Sequence, residues 1–539
     1  MTPTIRSVAT FETASEARGA HQPPPPISGH LLSTTPAFIG RSAMGQIFFT
    51  EYLARRAYPR HHAGVTANCE VVDPEQLERL SAFWRPVLAE IRRSDERHLA
   101  GCYLEGLVGP SERKTPEPIV RTALGSDDAP ARERRMQRML SDGEWNHRTV
   151  TLLGAERLMA AGKFDAYTLD DTALEKQGHH SVGVANQYAG CVGGLTNCQA
   201  IVTVGVASEH VSALIAGQLF LPASWCGPEA EVLRKKTRIP DRIRHRTKAE
   251  IALEIVRDVR EAGLPRLPWL CDSGYGDNTS FRLALDAADE TYVAGASFAL
   301  TMWPRGTTFS PQVRKGGAGR PPTRLKADGE ARPESIATLA AGLSREAWQP
   351  VLWRYGSKGP QRGRFAAVRV RPARGGKSSN AHGTIGASDL QPEQWLLLHW
   401  PEGEKAPTKA WLSNLPADTD IVTLVQLGRL RWRIERDHEE SKGILGLDHY
   451  EGRTWPGLHH HIALVIVADQ FLATEQLRTL PKSVGAGVSP PGTAGGSNAR
   501  AIIWRSADGT AGGQGATARA PSRAVRLRRR SPAAGGGHA

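Results

Sequence analysis

The sequence predicts an α/β protein, and three stretches carry that prediction. Ala166-Tyr167-Thr168-Leu169 is a short apolar run that stops at Asp170-Asp171-Thr172. Thr247-Lys248-Ala249-Glu250 is a capping box, with Ile251, Ile255, Val256 and Val259 on one face of the helix it opens and Gly263 closing it. Leu267 to Cys271 is a second apolar run, stopping at Asp272 and followed by Ser273-Gly274-Tyr275-Gly276. Strand, helix and strand with acids at the strand ends describe a sheet covered by helices.

The other segments follow in chain order. Residues 1–43 contain Pro23 to Pro26 and no sustained apolar period, which predicts a disordered arm. Folded sequence begins near Met44, and residues 44–155 read as a helical domain, a pattern shared by DNA-reading modules and plain scaffolds. Asp73 is a helix cap with Pro74 in the first helical position and Gln76 three residues past the cap. Leu77, Leu80, Val87, Leu88 and Ile91 then recur at helical spacing across a kink expected at Pro86, and a second helix is expected over 96–108. Residues 156–299 hold the strands and helix named above and a further strand at 198–206. Residues 300–420 are rich in Gly, Pro and Arg, with strand-like pieces at 350–355, 365–370 and 395–400, which predicts a β-rich insertion. Helical pattern returns in residues 421–480, at 421–442 and 459–478. Residues 481–539, dominated by Gly, Ala, Pro, Ser and Arg, predict a disordered basic tail.

Composition removes several classes. The 539 residues carry 68 Lys+Arg against 55 Asp+Glu, a net of +13. Residues 481–539 contain eight Arg and one Lys against one Asp, a net of +8, which leaves only +5 for residues 1–480. The charge of the body therefore does not by itself implicate nucleic acid. No apolar run reaches the roughly 18 residues of a membrane span. No basic-then-apolar leader opens the chain, and six cysteines without a CxxC pair argue against a disulfide framework or zinc ribbon. A cytoplasmic protein without membrane contact is expected.

One constellation carries chemistry. Arg431, Glu435 and Lys442 fall within about 40° of one another on a helix. Such a stripe by itself also describes a solvated, salt-bridged face. Asp171 and Asp272, each at the end of an apolar strand, add two carboxylates facing a cleft, and together with Glu435 they make an oxygen-donor set suited to Mg²⁺. Two such ions about 3.5–4 Å apart would clamp the attacking and leaving oxygens of a phosphodiester. Asp170 is the rival of Asp171, since adjacent strand residues point to opposite sides and only one can face the site. His459-His460-His461 splay about 100° apart on a helix and suit packing better than chelation. Cys191 and Cys198 lack zinc spacing and read as buried thiols. Arg305, Arg314, Lys315, Arg320, Arg324 and Lys326 scatter through 300–420 as a solvated loop or a backbone-tracking one. Trp303, Trp353, Trp395, Trp400 and Trp411 read mostly as core.

These residues resemble a known family. Arg431-x3-Glu435-x6-Lys442 matches the end of the Tyr-x2-Arg-x3-Glu-x6-Lys signature of bacterial insertion-sequence DDE transposases, the cut-and-paste group with a β-strand insertion. Asp171-Thr172 matches that group's first Asp and Asp272 its second. Tyr103-Leu-Glu-Gly-Leu with Arg113-Lys114 and Glu117-Pro118, His180 to Tyr188, and Leu445 to Arg453 leading to His459-His460-His461 resemble one of its subfamilies, over roughly residues 45–475. The resemblance implies an RNase H-like catalytic core interrupted by the insertion, with Asp171, Asp272 and Glu435 holding two Mg²⁺ (Mn²⁺ as a substitute) and Arg431 and Lys442 gripping phosphates. It further implies hydrolysis at the ends of the element and strand transfer to target DNA. The implied partners are double-stranded DNA, at terminal repeats and target, and further copies of the chain, in a bacterial, nucleoid-associated setting. Two features depart from the pattern: the signature's Tyr falls on Gly428, and residues after about 480 look unlike an ordinary folded end. A non-catalytic copy that binds element ends and an RNase H-like metal nuclease outside transposition are the alternatives.

Overall fold

Residues 74–480 are described in the computed structural model, apart from 110, 125–128, 191, 313–323, 357–358, 374–383 and 387–389. The expected arm, the start near Met44, the Asp73 cap, the tail, Cys191, Arg314, Lys315 and Arg320 lie outside the described residues.

Helices α1 (Pro74–Val87), α2 (Ser94–Val108), α3 (Pro116–Leu124), α4 (Ala129–Asp142) and α5 (His147–Ala161) precede the sheet. α1 runs through Pro86, which has no amide to donate to the Ala82 carbonyl, and gives way after Val87 to a single tighter turn at Leu88–Glu90. Their apolar faces, including Leu80, Leu104, Ile119 and Met136, join Leu174, Ile201 and Leu214 of the sheet in one buried cluster. The helices therefore cover the sheet directly.

The sheet begins with β1 (Ala166–Glu175), β2 (Ala185–Ala189), β3 (Gly194–Ala207) and β4 (Ser212–Leu219), followed by α6 (Glu231–Lys236) and α7 (Lys248–Glu261). The α7 capping box forms: Thr247 Oγ1 accepts from the Glu250 amide, and the Glu250 carboxylate accepts from the Thr247 amide. Next come β5 (Trp269–Cys271), the single turn α8 (Ser273–Gly276), α9 (Thr279–Ala287) and β6 (Tyr292–Ala296). β1 is antiparallel to β3, and β3 to β2 and β4, while β5 lies parallel between β1 and β6. The resulting order β4-β3-β1-β5-β6 is a mixed sheet that fits an RNase H-like fold. Val202, Val204 and Val206 are fully buried, as expected of a strand with helices over its faces.

β1 is longer than the sequence suggests. It keeps its pairing with β3 as far as Glu175, so Asp170 and Asp171 lie within the strand rather than at its end. The parallel neighbour β5, however, pairs only up to Leu169. The two acids therefore stand where the sheet loses a neighbour.

Residues 300–420 contribute β7 (Thr301–Trp303), β8 (Phe309–Pro311), β9 (Arg324–Ala327), β10 (Glu334–Ser335), α10 (Ile336–Ala341), β11 (Gln349–Gly356), β12 (Gly359–Pro372), β13 (Thr384–Gly386), β14 (Gln394–Trp400) and β15 (Lys409–Ser413). β15 pairs with β6, and β14, β12, β7 and β10 continue outward from it, so most of this stretch extends the central sheet. β13, β9 and β8 form a small sheet of their own. Trp303 and Trp411 are buried, and Trp353 and Trp395 pack partly buried beside Trp411. The chain then forms α11 (Ile421–Leu430), α12 (Trp432–Gly443) and α13 (Trp455–Thr479). The single helix expected over 421–442 is thus two, with Arg431 at the joint. Among the described residues no helix is long and apolar enough to cross a membrane.

Candidate active site

Strand alternation decides which acid of the Asp170-Asp171 pair faces α12. Tyr167 and Leu169 point into the cluster under α7, with Ile251 and Ile255, whereas Ala166 joins the opposite cluster, with Leu270, Leu424 and Val425. Continued along β1, this parity puts Asp171 on the α7 side and Asp170 on the side of α11 and α12. The side chains agree: Asp171 Oδ2 accepts from Lys248 Nζ at 2.6 Å, and Asp170 Oδ2 accepts from Arg431 Nη1 at 2.8 Å. Because Leu169 lies opposite Cys271 in the last parallel pair, Asp170 and Asp272 follow directly on adjacent strands, near enough for the Asp272 charge to act on Asp170. Asp272 is still extended, so its side chain shares the face of Leu270 and Asp170. The expectation that Asp171 rather than Asp170 faces Glu435 is therefore reversed. The Asp-Thr match pointed to Asp171, but the parity of β1 puts Asp170 on that face.

Asp272 also caps α8, its Oδ1 accepting from the Tyr275 amide at 3.3 Å. α8 lies directly on β6: a Cβ added at Gly276 would sit 1.9 Å from the Gly295 carbonyl oxygen. Backbone cannot swing away as a side chain can. Gly276→Ala is expected to cost about 2–4 kcal/mol in urea unfolding, through forced displacement of the turn that carries Asp272.

α12 is fastened to the sheet by its buried face. Asp437 Oδ1 accepts from Ser212 Oγ at 2.7 Å. Thr203 Oγ1 donates to the Asp170 carbonyl at 3.1 Å and lies 2.7 Å from His438 Nε2. Burial, with the charges of Lys442 and Arg431, pushes His438 down to about 3, so it is neutral and can donate from Nε2 to Thr203. His438 and Thr203 thus tie α12 to the backbone of the acid it faces. Arg431 bonds Asp170 with one guanidinium nitrogen and Glu435 with the other, and Lys442 lies farther along the same stripe. At Gly428, where the signature has Tyr, a Cβ would sit 3.3 Å from the Trp411 indole, a tight approach that a larger residue makes only if Trp411 shifts.

Burial pushes Asp170 up to about 7; Arg431 opposes the shift, and the negative charges of Asp272 and Asp171 add to it. Tyr275 is pushed up by burial and then by Asp171, Asp170 and Asp272, and its buried hydroxyl has no hydrogen-bond partner among the described residues. Crowded negative charge on hard oxygen donors suits a divalent cation. Arg431 nevertheless stands between Asp170 and Glu435, and among the described residues no three His, Cys, Asp or Glu side chains are grouped closely enough to hold an ion.

The stretches that carry the family resemblance outside the acids clamp the fold. Tyr103 Oη lies 2.9 Å from His461 Nδ1, the Lys114 amide donates to His449 Nδ1 at 3.0 Å, and Arg113 pairs with Glu451. The Val182 amide donates to the Arg453 carbonyl at 3.1 Å. His459, His460 and His461 are all buried rather than lying on the helix surface, bonded to Trp455, Leu140 and Gly446 carbonyls among others. Lys248 is a site residue that sequence reasoning missed. The capping box placed it in the first turn of α7, but nothing local reveals that the turn opens onto Asp171.

Residues 86–360, about half of the chain, match the family model described as DDE superfamily endonuclease. The matched part includes Asp170, Asp171 and Asp272 and ends before Glu435. No curated protein matches the chain.

Proposed function

The chain belongs to the DDE superfamily endonucleases, which generally use divalent metals, and from that membership we propose that it is the transposase of a bacterial insertion sequence. The observation that carries the reading is that Asp170 and Asp272, which directly follow the last paired residues of β1 and β5, lie close enough to act on one another beside Arg431 and Glu435 on the fastened helix α12. Asp170, Asp272 and Glu435 would together hold Mg²⁺ only once Arg431 leaves the bridge between Asp170 and Glu435, and the ion would then supply Lewis-acid stabilisation to a phosphodiester undergoing substitution. Arg431, whose fork matches a phosphate's oxygens, orients the scissile group, and Lys442 adds a point charge beside it. Buried Ile434, Asp437 and His438 hold these side chains in register with the sheet. In the first step a water oxygen joins phosphorus and the bond to the 3′ oxygen breaks, which frees a 3′-hydroxyl. That hydroxyl then attacks a second phosphodiester in line, forming one P–O bond as another breaks. The substrate is double-stranded DNA, at element ends and target, and two ends are brought together by more than one copy of the chain.

The test is nicking of a duplex that carries the DNA flanking this gene, in Mg²⁺ or EDTA, by wild type, Asp272→Ala and Glu435→Ala. Metal-dependent nicks at the element boundary, lost in both variants while binding persists, are expected. Cutting indifferent to the boundary would make the protein a nuclease outside transposition. Boundary-specific binding without cutting would make it a non-catalytic copy.

A further inference from the structure

Between β4 and α7 the chain carries a dense positive charge. Residues 234–248 contain eight Lys and Arg against one Asp, a net of +7, more than the +5 summed over residues 1–480. The segment is built rather than loose. Arg234 donates to the carbonyls of Trp225 at 3.1 Å, Pro240 at 3.3 Å and Ile243 at 2.9 Å, so one guanidinium ties the segment's limbs together. Thr237 and Ile239 are buried between them. Several of the cations are already neutralised: Lys235 by Glu231, Arg238 by Asp142, Arg246 by Glu254 and Lys248 by Asp171. Lys236, Arg242 and Arg244 are exposed and have no carboxylate partner among the described residues.

The placement gives this charge a direction. At one end Lys248 bonds Asp171, the chain neighbour of Asp170. Toward the other, Arg238 donates to the Ser141 carbonyl at 2.7 Å and pairs with Asp142, at the end of α4. Arg135 and Arg138 are exposed on the helical stripe that ends at Asp142. The cations therefore form a track from α4 to the carboxylates. Unpaired charges spread along a surface suit a polyanion with evenly repeated charge, whereas a small anion needs donors converging on one point.

We infer that Lys236, Arg242 and Arg244, continued by Arg135 and Arg138 of α4, dock the phosphate backbone of duplex DNA outside the cleavage centre; this rests on the reading of the protein as a DNA-cutting enzyme. None of these side chains touches the carboxylates, so the track sets affinity and the path of the duplex, and the acids set the chemistry.

The test compares wild type, Lys236→Gln/Arg242→Gln/Arg244→Gln and the charge-keeping Lys236→Arg/Arg242→Lys/Arg244→Lys, by duplex binding over a series of salt concentrations and by nicking at saturating DNA. The glutamine variant is expected to lower the slope of log K against log salt by about 2–3 and to weaken binding about 10- to 100-fold near 0.1 M salt, with nicking at saturation unchanged. The charge-keeping variant is expected to bind like wild type. A slope in the glutamine variant equal to that of wild type, or equal losses in both variants, would overturn the inference while leaving wild-type nicking, and so the parent reading, intact. A wild type that neither binds nor nicks DNA would overturn both.

Discussion

Asp170→Ala is expected to lower metal-dependent nicking about a thousandfold, the equivalent of about 4 kcal/mol, whereas Asp171→Ala stays within about tenfold of wild type. The difference follows from strand parity. Asp170 and Asp272 are side by side on the face that carries Arg431 and Glu435, and Asp171 points to the other face, where Lys248 neutralises it. Losing Asp170 removes a donor from the candidate metal site and leaves Arg431 with Glu435 alone. Losing Asp171 frees Lys248 at the rim and changes the field, not the donor set. The comparison is made by single-turnover nicking at saturating Mg²⁺, with duplex binding measured alongside. Equal losses in both variants would mean that β1 presents both acids to the substrate, and loss in Asp171→Ala alone would restore the choice suggested by the Asp-Thr match.

The second large effect is on stability. In EDTA at pH 8, Asp170→Asn is expected to be about 2–4 kcal/mol more stable than wild type, with the gain gone near pH 4. In the unfolded chain this carboxyl titrates near 3.9, and burial raises it to about 7 in the folded protein. Between those values the folded state holds a proton that the unfolded state has released. Stability attributable to Asp170 is therefore fully present below about pH 4 and is lost as pH rises through about 7. Asparagine has nothing to ionise and escapes the loss. The upper figure is the whole interval at about 1.4 kcal/mol per pH unit, in which the opposing pull of Arg431 is already counted. Urea unfolding at pH 4, 6 and 8 checks the sign, and a gain that grew toward acid pH would refute the assignment. Adding Mg²⁺ at pH 8 is expected to stabilise wild type and not the variant, because a ligand that binds only the folded form shifts the equilibrium toward it.

Local chemistry made much of the molecule legible. The α7 capping box, the apolar run into Asp272 and the Arg431-Glu435-Lys442 stripe depend on residues within a few positions of one another, so their types and spacing suffice. The same reasoning failed where the deciding partner is remote. β1 continues past its acids because β3 pairs with it, and the helix expected over 421–442 is divided at Arg431, which bonds Asp170 across 261 residues of chain. The packing role expected of His459, His460 and His461 holds, but its partners are remote and illegible in the sequence: α4, α5 and the segment after α12 enclose them.

By itself, then, the sequence determined that two strand-borne acids and a helical Arg–Glu–Lys stripe exist, since helical and extended spacing are properties of the local backbone. Only the tertiary structure decided that Asp170 rather than Asp171 meets Asp272 and Arg431. The face a strand residue occupies is fixed by which neighbours its sheet and covering helices bring to each side, and a one-residue change of parity exchanges every side chain between them.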